Sequence, residues 1–179
     1  NAVRVFKSRT SDGVRAMRLA ATDKVISMTI LRGTKSTIEE REAFLSIPFE
    51  KRVAISLGDH EFSPADFGLE LSKEQIIEMA ESEEFILTVA QNGFGKRTSA
   101  YYYRITNRGG SGIVNMVLSD KTGNVVASMP ANMKDELMLI TNNGKLIRCK
   151  LDSVRVTGRS TSGVILFKTE KDEMVVSAS

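Results

Sequence analysis

Asn92-Gly93-Phe94-Gly95-Lys96-Arg97 and Asn143-Gly144-Lys145-Leu146-Ile147-Arg148 lie 51 residues apart, and the alignment continues beyond them without a gap. Arg97 falls on Arg148, Arg104 on Arg155, Ile105 on Val156, Thr106 on Thr157, Arg108 on Arg159, Gly112 on Gly163, and Ile113-Val114 on Val164-Ile165. Self-similarity at a fixed period identifies a repeat architecture, in which one unit cannot bury its apolar faces alone and neighbours must stack. Asn-Gly is a tight-turn signal between strands. Here it follows the β-favouring run Phe85-Ile86-Leu87-Thr88-Val89. Val154–Thr157 alternates, and Val164–Phe167 and Met174–Ser177 read as further strands. About four strands in a unit of about 50 residues points to propeller-type blades.

Working outward, a third, partial copy opens the chain. Val3-Arg4-Val5 resembles Val154-Arg155-Val156, and Arg9 precedes Gly13 as Arg108 precedes Gly112. The pairs Val25-Ile26, Val125-Val126 and Val175-Val176 close the three units, each with Ser within two residues. Arg9 and Arg108 are 99 residues apart, one period plus 48, and the excess matches an acidic stretch at 36–84. The expected organisation is therefore a partial or strand-exchanged blade at 1–35, an acidic insert at 36–84, and blades at 85–134 and 135–179.

The insert has its own character. It carries four basic side chains (Arg41, Lys51, Arg52, Lys73) against thirteen acidic ones, a balance of −9, and leaves +12 on the rest of a chain whose net charge is +3. Ser36 with Glu39, and Ser72 with Gln75, fit capping boxes. Ile76, Ile77, Met79 and Ala80 would give one helix a packed face, while Pro48 and Pro64 interrupt the segment. Two readings stand: a mostly surface loop with one or two short helices, or an ordered satellite packed beside a blade.

Composition excludes several chemistries. One cysteine, Cys149, cannot form an internal disulfide and suits a reducing cytoplasm, and with a single histidine, His60, a Cys/His zinc site is not available. No paired carboxylates sit in an apolar context, so neither catalytic nor metal-ligating residues are assigned. No apolar run of about 18 residues exists to span a membrane, and no signal-peptide pattern precedes the first strand. The start at Asn1 reads as a piece of a longer protein.

A basic body carrying an acidic insert calls for a polyanionic partner. The recurrent cations are the candidates: Arg97 and Arg148, Arg104 and Arg155, and Arg9, Arg108 and Arg159, thickened by Lys96, Lys145, Lys150, Lys7, Arg15 and Arg18. Blades related by rotation would set these along one rim, where they would contact phosphates without reading bases. Solvated surface charge is the plain alternative, and Arg108 and Arg159, beside turn glycines, are the arginines expected to be partly structural. Asn107–Gly112 reads first as a turn needing positive φ, with a phosphate cradled by its backbone N–H groups as the alternative; no Lys-Ser or Lys-Thr follows it, so it is no nucleotide-binding P-loop. Tyr101-Tyr102-Tyr103 reads mainly as packed rings, with base stacking a minor alternative.

The segments 85–89, 92–98, 103–104 and 108–113, continued by Leu139-Ile140-Thr141, Gly144–Arg148 and Gly158–Val164 and anticipated by Arg15–Leu19, resemble the late blades of the C-terminal DNA-wrapping domain of the DNA gyrase A subunit. The resemblance covers 3–35 and 85–179. It implies an all-β fold: a partial β-pinwheel, propeller-like, of about two to three four-stranded blades that exchange strands, with one mostly helical or loop acidic insert. It further implies sequence-non-specific binding and wrapping of double-stranded DNA on a basic edge. That wrapping would support ATP-dependent negative supercoiling by a bacterial, cytoplasmic, chromosome-associated type II topoisomerase. The remaining gyrase A blades and core and the gyrase B subunit would be partners, with ATP and Mg bound elsewhere in the parent and no cofactor here. The family's box of a Gln followed by basic and Gly residues is absent, and Asn107–Gly112 is a weakened echo of it. A topoisomerase IV-type C-terminal domain is the related alternative. A propeller-type interaction module for an acidic partner is the alternative from another class.

Overall fold

A computed structural model describes residues 4–179. It contains two antiparallel sheets and a helical insert. Strands β1 (Phe85–Ala90) and β2 (Phe94–Ser99) form the first hairpin, and β4 (Glu136–Thr141) and β5 (Leu146–Lys150) form the second. Each hairpin turns at an Asn-Gly whose glycine has positive φ, +76° at Gly93 and +77° at Gly144, a conformation glycine adopts at no steric cost. The period read from the sequence is thus the period of the fold: β4 begins 51 residues after β1, and the 3-10 turn after β5 (Leu151–Ser153) begins 51 after the turn following β2 (Ala100–Tyr102).

The first sheet runs β3-β1-β2-β6, with β3 at Val125–Ala131 and β6 at Val164–Ile165; the second runs β5-β4-β7, with β7 at Val175–Ala178. β6 belongs to the second unit by sequence, yet it pairs with β2 of the first, setting Phe94 against Ile165 and Gly95 against Val164. Neighbouring units therefore exchange a strand, as the resemblance implies. One sheet is complete with four strands and the other has three among the described residues.

Burial follows this arrangement. All residues of β1 and β2 are buried, whereas β5 alternates between exposed and half-buried positions. Leu87, Val89 and Ala131 of the first unit pack against Leu137, Leu139, Leu151, Val154 and Val175 of the second, forming one apolar core between the sheets. Burying each such side chain contributes roughly 1.5–3 kcal/mol, which neither sheet would gain alone.

The insert is the ordered satellite of the two readings, and it has three α-helices rather than one or two: α1 (Ile38–Ser46), α2 (Phe49–Ser56) and α3 (Lys73–Glu81). Phe44, Ile47, Ile55, Leu71, Ile76, Met79 and Ala80 form its core, completed by Tyr101 from the first blade. The expected box at Ser72 and Gln75 caps α3. The first box is shifted by one residue: Thr37 and Glu40 cap α1 in place of Ser36 and Glu39. Arg52 of α2 is buried against Glu83 at 3.1 Å and donates to the Ile47 carbonyl at 2.7 Å. Burial raises the Glu83 carboxyl above its ordinary range despite the opposing charge of Arg52.

Val3, part of the expected first copy, lies outside the described residues. Residues 4–33 form no strand, and the expected closing pair Val25-Ile26 stays exposed. Such a strand needs a hairpin partner, and none of the described residues supplies one. Gly13, Gly112 and Gly163 have φ of +79°, +81° and +77°, values that Gly33 and Gly109 share, so the backbone does not by itself single out a third copy.

Candidate nucleic-acid interface

The candidate cations separate into groups that the sequence does not distinguish. Lys96 and Arg97 are not on a rim: both are buried. Lys96 Nζ donates to the carbonyls of Gly158 and Arg159, each at 2.8 Å, and contacts Thr161 Oγ1 at 3.3 Å. Burial, with Arg159 nearby, lowers its pKa to about 8. Arg97 Nε donates to the Val154 carbonyl at 2.7 Å, and its guanidinium lies over the Phe49 ring of the insert. The exchange segment that completes the first sheet covers both side chains, so these two cations serve the joint between units.

Lys145 and Arg148 are exposed but paired. Lys145 reaches Glu170 at 2.7 Å and Glu173 at 3.2 Å, and these partners hold its ammonium above the ordinary lysine range. Arg148 is paired with Glu136 on the neighbouring strand. Arg159 is half-buried and donates to the Val114 carbonyl at 3.0 Å, in keeping with a partly structural role.

Arg104, Arg108, Lys150, Arg155, Lys7, Arg9, Arg15 and Arg18 are exposed. Two of these groupings have a structural cause. Arg155 follows the 3-10 turn after β5, and Arg104 follows the matching turn after β2, so the fold delivers an exposed arginine at the same place in each unit. Arg15 and Arg18 are brought beside Arg108: the Arg18 amide donates to Gly110 O at 2.9 Å and the Gly109 amide to Ala16 O at 2.6 Å. The Gly-rich turn Asn107–Gly112 thus spends backbone groups on the first segment. Its Gly109 has φ of +77°, as the turn reading requires.

A cleft of about 500 Å³ joins the interface to the insert. Tyr102, Arg104, Gly112 and Arg159 line it from the blades, and Arg41 and Glu42 from α1. Arg41 fixes that junction by donating to the Tyr103 carbonyl at 3.2 Å. Tyr101 is buried, with its hydroxyl donating to Met79 O at 2.9 Å, Tyr103 is half-buried with its hydroxyl on Asn115, and Tyr102 alone of the three is exposed. Sequence reasoning missed the docking roles of Arg41 and Arg52, because isolated arginines in an acidic helical segment read as solvated charge. Among the described residues no group of His, Cys, Asp and Glu is placed to hold a metal ion, and no helix is long and apolar enough to cross a membrane.

Two sheets of a 51-residue repeat, joined by an exchanged strand and bearing exposed arginines at repeat-equivalent turns, define a propeller-type repeat protein. The model of the DNA gyrase C-terminal domain, beta-propeller, matches residues 1–32, 84–132 and 135–179, and the chain belongs to that family. The DNA gyrase A protein of Rickettsia bellii is 66% identical over 177 residues, 99% of this chain and 19% of the relative. That of Granulibacter bethesdensis is 45% identical over 188 residues, covering 98% of this chain and 20% of the relative. The chain thus spans about a fifth of the length of these relatives, and the aligned stretches include the insert. A solved gyrase A C-terminal domain superimposes with a TM-score of 0.51 at 26% identity, over 54% of this chain and 33% of that one.

Proposed function

We propose that this chain binds double-stranded DNA through phosphate contacts, without reading base sequence, as the C-terminal part of a gyrase A protein. The observation that carries the reading is the pair Arg104 and Arg155, exposed at equivalent turns of successive units. Cations repeated by the fold at equivalent turns suit a polymer whose charges repeat along its axis. Arg15, Arg18 and Arg108, on segments joined by backbone bonding at Gly109 and Gly110, would add exposed cations to the same binding surface. Following that surface bends the duplex. A smooth bend of 40–90° over a short site costs roughly 1–6 kcal/mol, so several phosphate contacts have to act together. In the whole enzyme this bending would wrap DNA and support negative supercoiling driven by ATP at other parts of the assembly.

Equilibrium binding to a non-specific duplex of a few tens of base pairs, from low to physiological salt, tests the reading. Log K should fall with log salt by about 0.9 for each phosphate contacted and should not depend on sequence. The double variant Arg104→Ala, Arg155→Ala should flatten that slope by about 2. No binding at low salt, or an unchanged slope in the double variant, overturns it.

A further inference from the structure

The cleft between α1 and the first blade holds more positive charge than its own walls balance. Arg41, Arg104 and Arg159 line its volume of about 500 Å³ together with a single carboxylate, Glu42. Among the described residues no ion pair joins Glu42 to any of the three. Arg104 is exposed and hydrogen-bonds to nothing among the described residues. Arg159 spends one terminal nitrogen on Val114 O, while its Nε is buried without an acceptor. A buried donor left unpaired carries a desolvation cost that an incoming oxyanion would remove.

The rest of the wall is apolar. Leu45, Ile113 and the Tyr102 ring supply it. Tyr102 is 37% exposed, and a Cβ added at Gly158 would lie 3.9 Å from its ring, so the ring rests on the exchange segment while part of it stays open. This arrangement occurs once in the repeat. Arg104 and Arg159 have counterparts at Arg155 and Arg108, but the residue 51 after Tyr102 is Ser153, and Arg41 belongs to the insert, which no second unit carries. A cation row for a repeating polymer has no use for a ring and an apolar wall at a single position.

We propose that this cleft binds a free nucleoside diphosphate or triphosphate. Its phosphates take the open N–H groups of Arg104 and Arg159, since guanidiniums pair strongly with phosphate oxygens. Its base lies on Tyr102 against Ile113, because an aromatic ring stacks on any base. Glu42, the one acceptor in the wall, receives an exocyclic amine, which favours an amino-bearing base such as adenine. Arg41 has Nε on Thr37 O at 3.1 Å and a terminal nitrogen on Tyr103 O at 3.2 Å, so it sets the wall and adds positive field. The volume lies within the range of about 300–1,000 Å³ usual for small-molecule sites. A bare phosphate would leave the apolar wall unused. The inference shares Arg104 with the DNA reading and stands without it.

Titration calorimetry of the 179-residue chain with ADP, without DNA, tests the proposal. ADP should bind saturably below millimolar concentration. Pyrophosphate and adenosine, each carrying one half of the ligand, should bind at least about tenfold more weakly, the scale of one lost stack or charged hydrogen bond. Arg104→Ala and Tyr102→Ala, both at exposed positions, should each weaken ADP about tenfold. Arg148→Ala removes an exposed cation that Glu136 already neutralises, and should leave the affinity unchanged. No saturable binding at millimolar ADP, insensitivity to both cleft variants, or an equal loss in Arg148→Ala overturns the proposal. Pyrophosphate that binds as tightly as ADP makes the cleft a plain anion site and overturns it as well. A single-stranded oligonucleotide that displaces ADP, and binds more tightly through Tyr102, would seat an unpaired base of DNA there and overturn the free nucleotide.

Discussion

Lys96 of one unit holds Gly158 of the next: its ammonium donates to the Gly158 carbonyl at 2.8 Å from a fully buried position. Two more acceptors, Arg159 O and Thr161 Oγ1, close around the same nitrogen. The turn that precedes β6 is thereby fixed to β2. A buried ammonium is tolerated because every partner it meets is an oxygen.

Removing this joint should cost stability and leave the DNA contacts intact. Lys96→Met keeps the aliphatic stem but strands two carbonyls, so unfolding free energy should fall by about 1–3 kcal/mol. Denaturant melts measure this directly. The salt slope of DNA binding should stay at the wild-type value, and a slope reduced by about 0.9 would return Lys96 to the phosphate surface.

Alkaline pH should stabilise the joint. Lys96 titrates near 8 in the folded chain against 10.5 for an ordinary lysine, so folding disfavours its proton. Below about pH 8 both states hold the proton and stability is level. Between about 8 and 10.5 the unfolded state binds more protons, and stability rises with pH by no more than about 1.4 kcal/mol per unit. Melts at pH 8 and 10 should show that rise in the wild type and its loss in Lys96→Met. A wild-type stability that falls over this window contradicts the assignment.

Lys96 and its neighbour Arg97 also mark the limit of what the sequence discloses. The period, the hairpins and the strand runs are legible because Asn-Gly, β-branched pairs and turn glycines carry their conformational meaning locally. Lys96 and Arg97 are misplaced because a cation's burial depends on a segment some 60 residues away that reaches it only by strand exchange. The cap of α1 is misread by one residue for a different reason: Ser36 and Thr37 are both cap formers, and Glu39 and Glu40 are both acidic, so the box fits in two registers. The insert's order is hidden because Phe44, Ile47 and Ile55 pack against α3 and against Tyr101, far along the chain.

The insert should come loose through Arg52. This side chain pairs with buried Glu83 and donates to Ile47 O, and its guanidinium lies over the rings of Phe44 and Phe49. Arg52→Ala leaves a buried carboxylate without its cation, a loss of about 3–5 kcal/mol. Limited proteolysis should then cut within 36–84 while 85–179 persists. Resistance equal to wild type would show that the apolar contacts alone hold the insert.

The acidic insert should weaken DNA binding by facing the arginines rather than by loosely competing for them. Glu42 lines the same cleft as Arg104 and Arg159, and Arg41 pins α1 at that junction. Deleting 36–84 is a poor test, since it strips the cover from Tyr101 and removes Phe49 from Phe85. Neutralising the exposed carboxylates Glu39 and Glu42 with Gln keeps the fold and removes two negative charges within about a Debye length of the cleft. Affinity for non-specific duplex should rise by about two- to fivefold at low salt, the scale of exposed charge interactions, and the gain should shrink as salt increases. If the wild type binds DNA and the double variant binds it equally well, the insert is a bystander to the interface, and its order serves only to cover the first blade.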